Sequence, residues 1–588
     1  MRSMKYLPSM STIQTLKYLR QLLNNSLQKL TSTSSSPTTG SSLDVNRIVD
    51  KYVSNYKKLM TTSVDKRQNT SSISSGQLAA ATTNATDGRL ADTDVVVKQV
   101  IDKTTTTPPM PKKDIVVGDD EEYQLFESAL NEWIQTKHQL DANLKTMRPS
   151  TVTTMMSSTT PTPGLDKRIE QLVNSMTIDD SLPKAKRNLQ DLTKLLITYP
   201  TEAITYANKH NAIHKVLQLN HWTDNQLIRQ QSSQVLAHLG YVEPPKGTGI
   251  RILSIDGGGT RGVLVIEILR ELERLSGKPI HQMFDLICGV STGGIIGMLM
   301  GALQLPVDEC EEYYHRFSSH LFKSDFFRGA GRLLWSHAYY DTNVWEKILR
   351  DIYRETTLME TRQSDQTPHV VAISALMNKP SIEAYLFRNY ELPVHTRSMS
   401  QYEGSSRYKI WQAVRASAAA PGYFEEMKLD QYVHQDGGIL INNPTAVAIH
   451  EAKLLWPNED IQFVLSLGSG RSIPSSYVDN NTIVANTSLK QKLAKLIDSA
   501  TDTEMVHRLM RDLLPADTYL RINPFLSEVG SLDENRPQKL SQMKSDAKLY
   551  LRKNEPRVTQ AVSELMNRRK LRQRLEDWLR LQYNLRIK

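Results

Sequence analysis

Cysteine is nearly absent: Cys288 and Cys310 are the only two in 588 residues. That excludes a disulfide-stapled scaffold and is consistent with a reducing compartment. No cysteine–histidine spacing suited to zinc occurs, so no metal is expected. Long apolar runs are also missing. The longest, from Gly293 to Leu303, falls short of the ~20 residues that a membrane-spanning helix needs. Acidic residues are absent from the first 43 positions, where Arg2, Lys5, Lys17, Arg20 and Lys29 precede Asp44. No uninterrupted apolar core of a secretory signal lies there. The composition is that of a mitochondrial presequence or of a plain basic tail, and both readings stand.

What is present divides the chain into four parts. Residues 1–165 are rich in Ser, Thr, Pro and Gly, as in Thr104-Thr105-Thr106-Thr107-Pro108-Pro109. Such a segment buries too little apolar surface to fold, so a disordered N-terminal arm is expected. Two islands at helical spacing interrupt it, Val45 to Leu59 and Tyr123 to Ile134. They are partner or membrane helices, or short helices docked on the remainder. Residues 166–245 carry successive apolar stripes, such as Leu189, Leu192, Leu195 and Leu196, punctuated by Pro183 and Pro200. They predict a small helical, armadillo-like layer that must pack on the segment C-terminal to it. In residues 246–535, runs rich in Val, Ile and Leu (Ile250–Ile255, Val370–Ser374, Gln462–Leu467) recur between helical segments. This is the pattern of an α/β fold with a covered, mostly parallel sheet. Residues 536–588 form a charged helical tail in which Leu571, Leu575, Trp578, Leu581 and Leu585 make a stripe among arginines. A basic amphipathic helix with a tryptophan suits an anionic membrane surface, or else docks its stripe on the protein. The net charge of +9 fits an anionic partner, membrane lipid or nucleic acid.

The chemistry gathers in three short motifs. Cys288-Gly289-Val290-Ser291-Thr292-Gly293-Gly294 contains G-x-S-x-G between an apolar strand and an apolar helix, the context of a nucleophile elbow. Side chains at Gly289 or Gly293 would crowd that turn. A serine hydroxyl needs a base. The histidines that follow (His315, His320, His337, His434, His450) carry no motif. Asp436-Gly437-Gly438, by contrast, puts a carboxylate at a strand end that another turn can approach closely. This points to a Ser291–Asp436 dyad. The third motif is Asp256-Gly257-Gly258-Gly259-Thr260-Arg261-Gly262. Its bare backbone can turn N–H groups of Gly257, Gly258 and Gly259 toward one oxyanion, Gly258 and Gly259 foremost. Arg261 either holds a substrate phosphate or fixes the loop. The same stretch satisfies G-x-G-x-x-G, so a dinucleotide-binding protein using Gly257, Gly259 and Gly262 is the alternative from another class. That fingerprint wants an acidic residue after a second strand, and here the second strand runs into the serine.

The three motifs, in this order, resemble the signature motifs of patatin-like phospholipases. Ala416-Ser417-Ala418-Ala419-Ala420-Pro421-Gly422-Tyr423-Phe424 and Asn442-Asn443-Pro444 are similar to that family as well. The resemblance implies a three-layer patatin-like fold with Ser291 as nucleophile and Asp436 as general base. Asp256, Arg261, Gly262, Gly289, Gly293, Gly437 and Gly438 are the accompanying motif residues. It further implies calcium-independent hydrolysis of acyl esters of membrane glycerophospholipids, releasing fatty acid and lysophospholipid, with no cofactor, no metal and no nucleic acid. A neutral-lipid (triacylglycerol) lipase is the second hydrolase reading. The expected location is peripheral on intracellular membranes, mitochondrial first, with endoplasmic reticulum or peroxisomal membrane as alternatives. The last residues, Leu585-Arg586-Ile587-Lys588, are not the Ser-Lys-Leu import signal. Leu321 to Trp335 mixes aromatic and basic residues and is either a lipid-facing segment or core.

Overall fold

The computed structural model describes residues 162–177, 181–321, 340–472, 503–528 and 531–586. All of them lie in one compact unit, Val117–Lys588. The basic N-terminus, the two helical islands and most of the aromatic–basic segment 321–335 lie outside the described residues.

Five helices come first: α1 (Leu165–Asn174), α2 (Leu182–Thr198), α3 (Pro200–Lys209), α4 (Ala212–Trp222) and α5 (Gln226–His238). Pro183 and Pro200 sit in the first turns of α2 and α3, where a missing N–H costs nothing. Asn225 caps α5 by accepting from the N–H groups of Leu227 and Ile228. Ile169, Leu189, Leu192, Val216 and Val235 meet in a core of their own. As the stripes predict, this layer does not stand alone. Gln363 donates to Gln234 of α5 at 2.8 Å, and the Glu391 N–H donates to the Ala237 carbonyl.

The sheet is built from β1 (Ile250–Ile255), β2 (Leu286–Val290), β3 (His369–Leu376), β4 (Glu383–Arg388), β5 (Glu403–Ser405), β6 (Met427–Leu429), β7 (Tyr432–Asp436), β8 (Ile461–Leu467) and β10 (Tyr519–Ile522). A separate pair is formed by β9 (Arg471–Ser472) and β11 (Phe525–Leu526). The main order is β10-β8-β1-β2-β3-β4-β5. From β10 to β3 the neighbours are parallel, while β4 and β7 run antiparallel to β3. Pleating divides the strands between two cores. Leu253, Ile255 and Ile287 pack on α6 (Gly262–Ser276) and α7 (Thr292–Gly297). That layer also holds α8 (Val307–Leu321), α9 (Thr342–Tyr353) and α10 (Ile410–Ser417). Ile252, Leu286 and Cys288 pack instead on α11 (Thr445–Leu455). The result is helix, sheet, helix.

One lane of the sheet is shared. β4 covers one edge of β3 from Val371 to Leu376, so β2 and β7 must both use the other edge. β2 pairs with His369–Ile373, ending at Val290 opposite Ile373. β7 enters from the far end and stops with Asp436 opposite Ser374. The two strands therefore meet end to end beside adjacent residues of β3.

The C-terminal segment departs from the expected separate tail. It follows α12 (Thr503–Leu513) and holds α13 (Pro537–Lys553), α14 (Glu555–Met566) and α15 (Leu571–Arg586). Leu540, Met543, Ala547 and Leu551 of α13, with Val558, Ala561 and Leu565 of α14, join the core around α6. These two helices are integral to the helical layer on that face of the sheet. α15 docks on the helical layer: Leu585 is buried there, Leu581 packs beside it, and the Leu585 carbonyl accepts from Gln218 at 2.8 Å. Of the two readings of the stripe, Leu581 and Leu585 follow the docked one, while Leu571 and Trp578 stay exposed.

Candidate active site

Ser291 follows β2 and opens α7 with φ 53 and ψ −119, a conformation that costs a non-glycine residue of order 1–3 kcal/mol. The flanking glycines make the turn feasible. A Cβ on Gly289 would lie 2.1 Å from the Gly293 carbonyl oxygen, and one on Gly293 would lie 2.2 Å from that of Ile255. Because β2 and β7 converge, the Ser291 hydroxyl donates to Oδ2 of Asp436 at 2.6 Å. The other oxygen, Oδ1, accepts the Gly438 N–H at 2.7 Å. Gly437 has no room for a side chain, since a Cβ would meet the Ile373 carbonyl at 2.4 Å and Val290 at 2.8 Å. Asp436 is buried, and burial pushes its pKa up to about 6 against the pull of the Ser291 and Gly438 hydrogen bonds.

The glycine loop lies over the same cavity, of about 90 Å³, which Gly257, Gly258, Gly259, Ser291 and Asp436 all line. Its carbonyls are tied down in turn. Gly257 O accepts from Ser469 at 2.7 Å, Gly258 O from Arg261 Nε at 3.1 Å, and Gly259 O from Thr292 Oγ1 at 2.7 Å and from the Tyr314 hydroxyl. In a trans peptide the next N–H points the opposite way. The carbonyl anchors therefore orient the N–H groups of Gly258 and Gly259, for which no acceptor is found among the described residues. Gly257 differs from expectation, because its N–H donates to the Asn442 carbonyl at 3.3 Å.

Arg261 lines the cavity and fixes the loop through Gly258. Asp256 does not line it. Its carboxylate is buried on Arg521 at 2.7 Å, beneath the loop, so it braces the motif and is away from substrate. Gly262 is crowded by Thr292 and Tyr314, each within 2.4 Å of where a Cβ would sit, and Gly259 by the Leu532 carbonyl at 2.0 Å. The close approach that these glycines permit is used by the protein's own chain, which leaves a pyrophosphate no place there.

No histidine lines the cavity among the described residues. His434, two residues before Asp436, bonds Ser374 at 2.9 Å amid Tyr385 and Phe387, and burial lowers its pKa to about 4. Two residues that the motifs did not single out complete the site. Ser417 Oγ accepts the Ser291 N–H at 3.0 Å and donates to the Ile373 carbonyl at 2.6 Å, so it holds the elbow against β3. Asn442 holds Gly257. Both stand in family-like runs of sequence, but a single hydroxyl or amide carries no spacing signal of its own.

A serine beside a buried carboxylate, facing an amide cradle at the end of a mostly parallel sheet, is the arrangement that a serine hydrolase needs. Residues 253–449 match the family described as patatin-like phospholipase. It is 43% identical over 426 residues to calcium-independent phospholipase A2-gamma of Oryctolagus cuniculus, covering 72% of this chain and 53% of the relative. The Homo sapiens protein of that name is 42% identical over 424 residues, again 72% and 53%. Phospholipase A I of Arabidopsis thaliana is 31% identical over 375 residues, covering 54% of this chain and 28% of the relative. The chain spans about half the length of the gamma relatives it matches.

Proposed function

We propose that this protein is a phospholipase that cleaves acyl esters of membrane glycerophospholipids through Ser291 and Asp436. The observation that carries the reading is the 2.6 Å hydrogen bond from Ser291 Oγ to Asp436 Oδ2. Oγ attacks the ester carbonyl carbon as its proton passes to Oδ2. The N–H groups of Gly258 and Gly259 stabilise the tetrahedral oxyanion, at ~3 kcal/mol per donor. Collapse expels the lysophospholipid alkoxide, which takes the proton from Asp436 and leaves an acyl-Ser291 ester. Water, deprotonated by Asp436, then releases the fatty acid. The relatives' names support calcium independence for this chain. A chelator should therefore leave the rate unchanged.

The substrate surface is an anionic membrane met peripherally, in keeping with the net charge of +9. No helix among the described residues is long and apolar enough to cross a bilayer. An intracellular, first of all mitochondrial, membrane is the proposed location. The four-part division into 1–165, 166–245, 246–535 and 536–588 is kept only with α13 and α14 reassigned to the catalytic unit. The decisive experiment is product analysis on a phosphatidylcholine with distinct acyl chains, beside triacylglycerol. Free fatty acid and lysophosphatidylcholine from the wild type, and none from a folded Ser291→Ala protein, supports the proposal. Faster turnover of triacylglycerol would make it a neutral-lipid lipase.

A further inference from the structure

A second cavity lies apart from Ser291. It is a groove of about 1230 Å³ between α4, the linker that follows α5, the segment after α11, and α15. Three parts of the protein meet there: the helical layer, the end of the sheet where β1 and β8 begin, and the last helix. Its electrostatics are unbalanced. Arg569 is held by both Glu459 and Asp577, and Arg251 by Asp285, so those cations are compensated. Lys278, Arg568, Arg574 and Arg580 line the same space, and none has a carboxylate partner among the described residues. Lys246 donates to the carbonyl of Asp365, and the Asp285 and Glu243 carboxylates act on its charge. The one lining carboxylate without an ion pair among the described residues is Glu243.

Cations in excess of the carboxylates around them repel one another, and an anion relieves that cost. Arginine favours phosphate, which its planar fork can grip at two oxygens. The groove is not only cationic. Leu217, Leu239, Leu455 and Trp456, all buried, contribute to its lining, and Trp578 is exposed on it. Arg574, Trp578 and Leu581 fall on one face of α15, at steps of four and three residues. Charge and apolar surface therefore occur side by side, as an amphiphile with a phosphate head requires.

We propose that this groove is a second lipid site that takes an anionic phospholipid, phosphate among Lys278, Arg574 and Arg580 and acyl chain against Leu217, Leu455 and Trp456. It uses no residue of the catalytic cavity. A bound lipid would tie α4 and α15 to the end of the sheet where β1 and β8 begin, and hold the protein on anionic membrane while the active site works on other molecules.

The test is calorimetric titration of the full-length chain carrying Ser291→Ala, which binds without hydrolysing. The probe is a short-chain phosphatidylglycerol below its micellar concentration. The expected result is saturable binding that weakens at least tenfold when Arg574→Glu and Arg580→Glu are added, and at least tenfold weaker binding of the matching phosphatidylcholine. Lys278→Glu, on a different part of the protein, should weaken binding as well, and guards against a misfolded α15 variant. In the active background, the double charge reversal should leave hydrolysis of a soluble ester unchanged. Equal affinity in the charge-reversed proteins would overturn the proposal. So would inorganic pyrophosphate binding as tightly as the lipid, since the apolar lining would then have no part. A failed hydrolysis assay bears on Ser291 alone and leaves this isotherm untouched.

Discussion

Asp256 and Arg521 stand 265 residues apart in the chain, yet they form an ion pair at 2.7 Å in which each side chain is 2% exposed. Arg521 also donates to Ser466 at 2.9 Å and to Glu504 of α12 at 2.9 Å. The first residue of the glycine loop is thus clamped to β10, and through it to α12. Removing one member of such a pair leaves a buried charge alone, which costs ~3–5 kcal/mol. Arg521→Met should lose about that much stability in urea unfolding. Arg521→Lys should lose less, because it keeps the charge and gives up the fork. A loss below ~1 kcal/mol for Arg521→Met would mean that water or another group reaches Asp256.

Ser291 pays for its function in backbone strain. Glycine adopts φ 53 without a Cβ penalty. Ser291→Gly should therefore abolish fatty-acid release and yet raise stability by ~1 kcal/mol, less what the lost hydrogen bond to Asp436 supplied. Thermal unfolding of the two proteins, measured side by side, checks this. A marked drop in stability would show that the hydroxyl, more than the turn, holds this part of the fold together.

Asp436 makes two pH-dependent quantities move in opposite senses. As the base it must be ionised, so kcat/KM should rise with pH through about 6 and level off above it. Its folded pKa is raised above the ordinary 3.8. Between those values the folded state holds a proton that the unfolded state has released, so stability falls as pH rises across that window. The effect is of order 3 kcal/mol at most. Asp436→Asn should remove that slope along with activity. A wild-type rate that is flat from pH 5 to 8 would remove Asp436 from the role of base.

Ser417 offers a subtler probe. Ser417→Ala leaves the Ser291 N–H without its acceptor, at ~1–3 kcal/mol. It should lower kcat with little change in KM, since substrate does not depend on that hydroxyl. Ser417→Thr keeps an oxygen there and should recover part of the rate. A KM effect alone would assign Ser417 to substrate binding.

How far the sequence discloses this site depends on the kind of constraint. Gly289 and Gly293 are legible because no other residue fits where their neighbours lie. Ser291 is legible because it stands between them. Asp436 is readable through the two glycines that follow it. Arg521 is not, since one arginine in a strand looks like any other until the fold sets Asp256 against it. The strands β5 and β6, of 3 residues each, are too short to show a period. The α15 stripe disclosed an apolar face without saying what covers it, and α4 covers part of it. The alternation of apolar runs sufficed for the sheet, because strands covered on both faces are apolar at most positions.

Ser291 and Asp436 owe their meeting to the main chain of a single strand. β3 sets Val290 against Ile373 and Asp436 against Ser374. Loops between Ser291 and β3, and between β3 and β7, can therefore change in length and sequence without moving the reacting atoms, provided that Thr292, Gly293, Tyr314 and Ser417 keep their places. A lineage built on this junction has wide latitude to retune what it admits while the junction stays constant. An engineer seeking new specificity should graft into those intervals and leave the 8 residues of β3 alone.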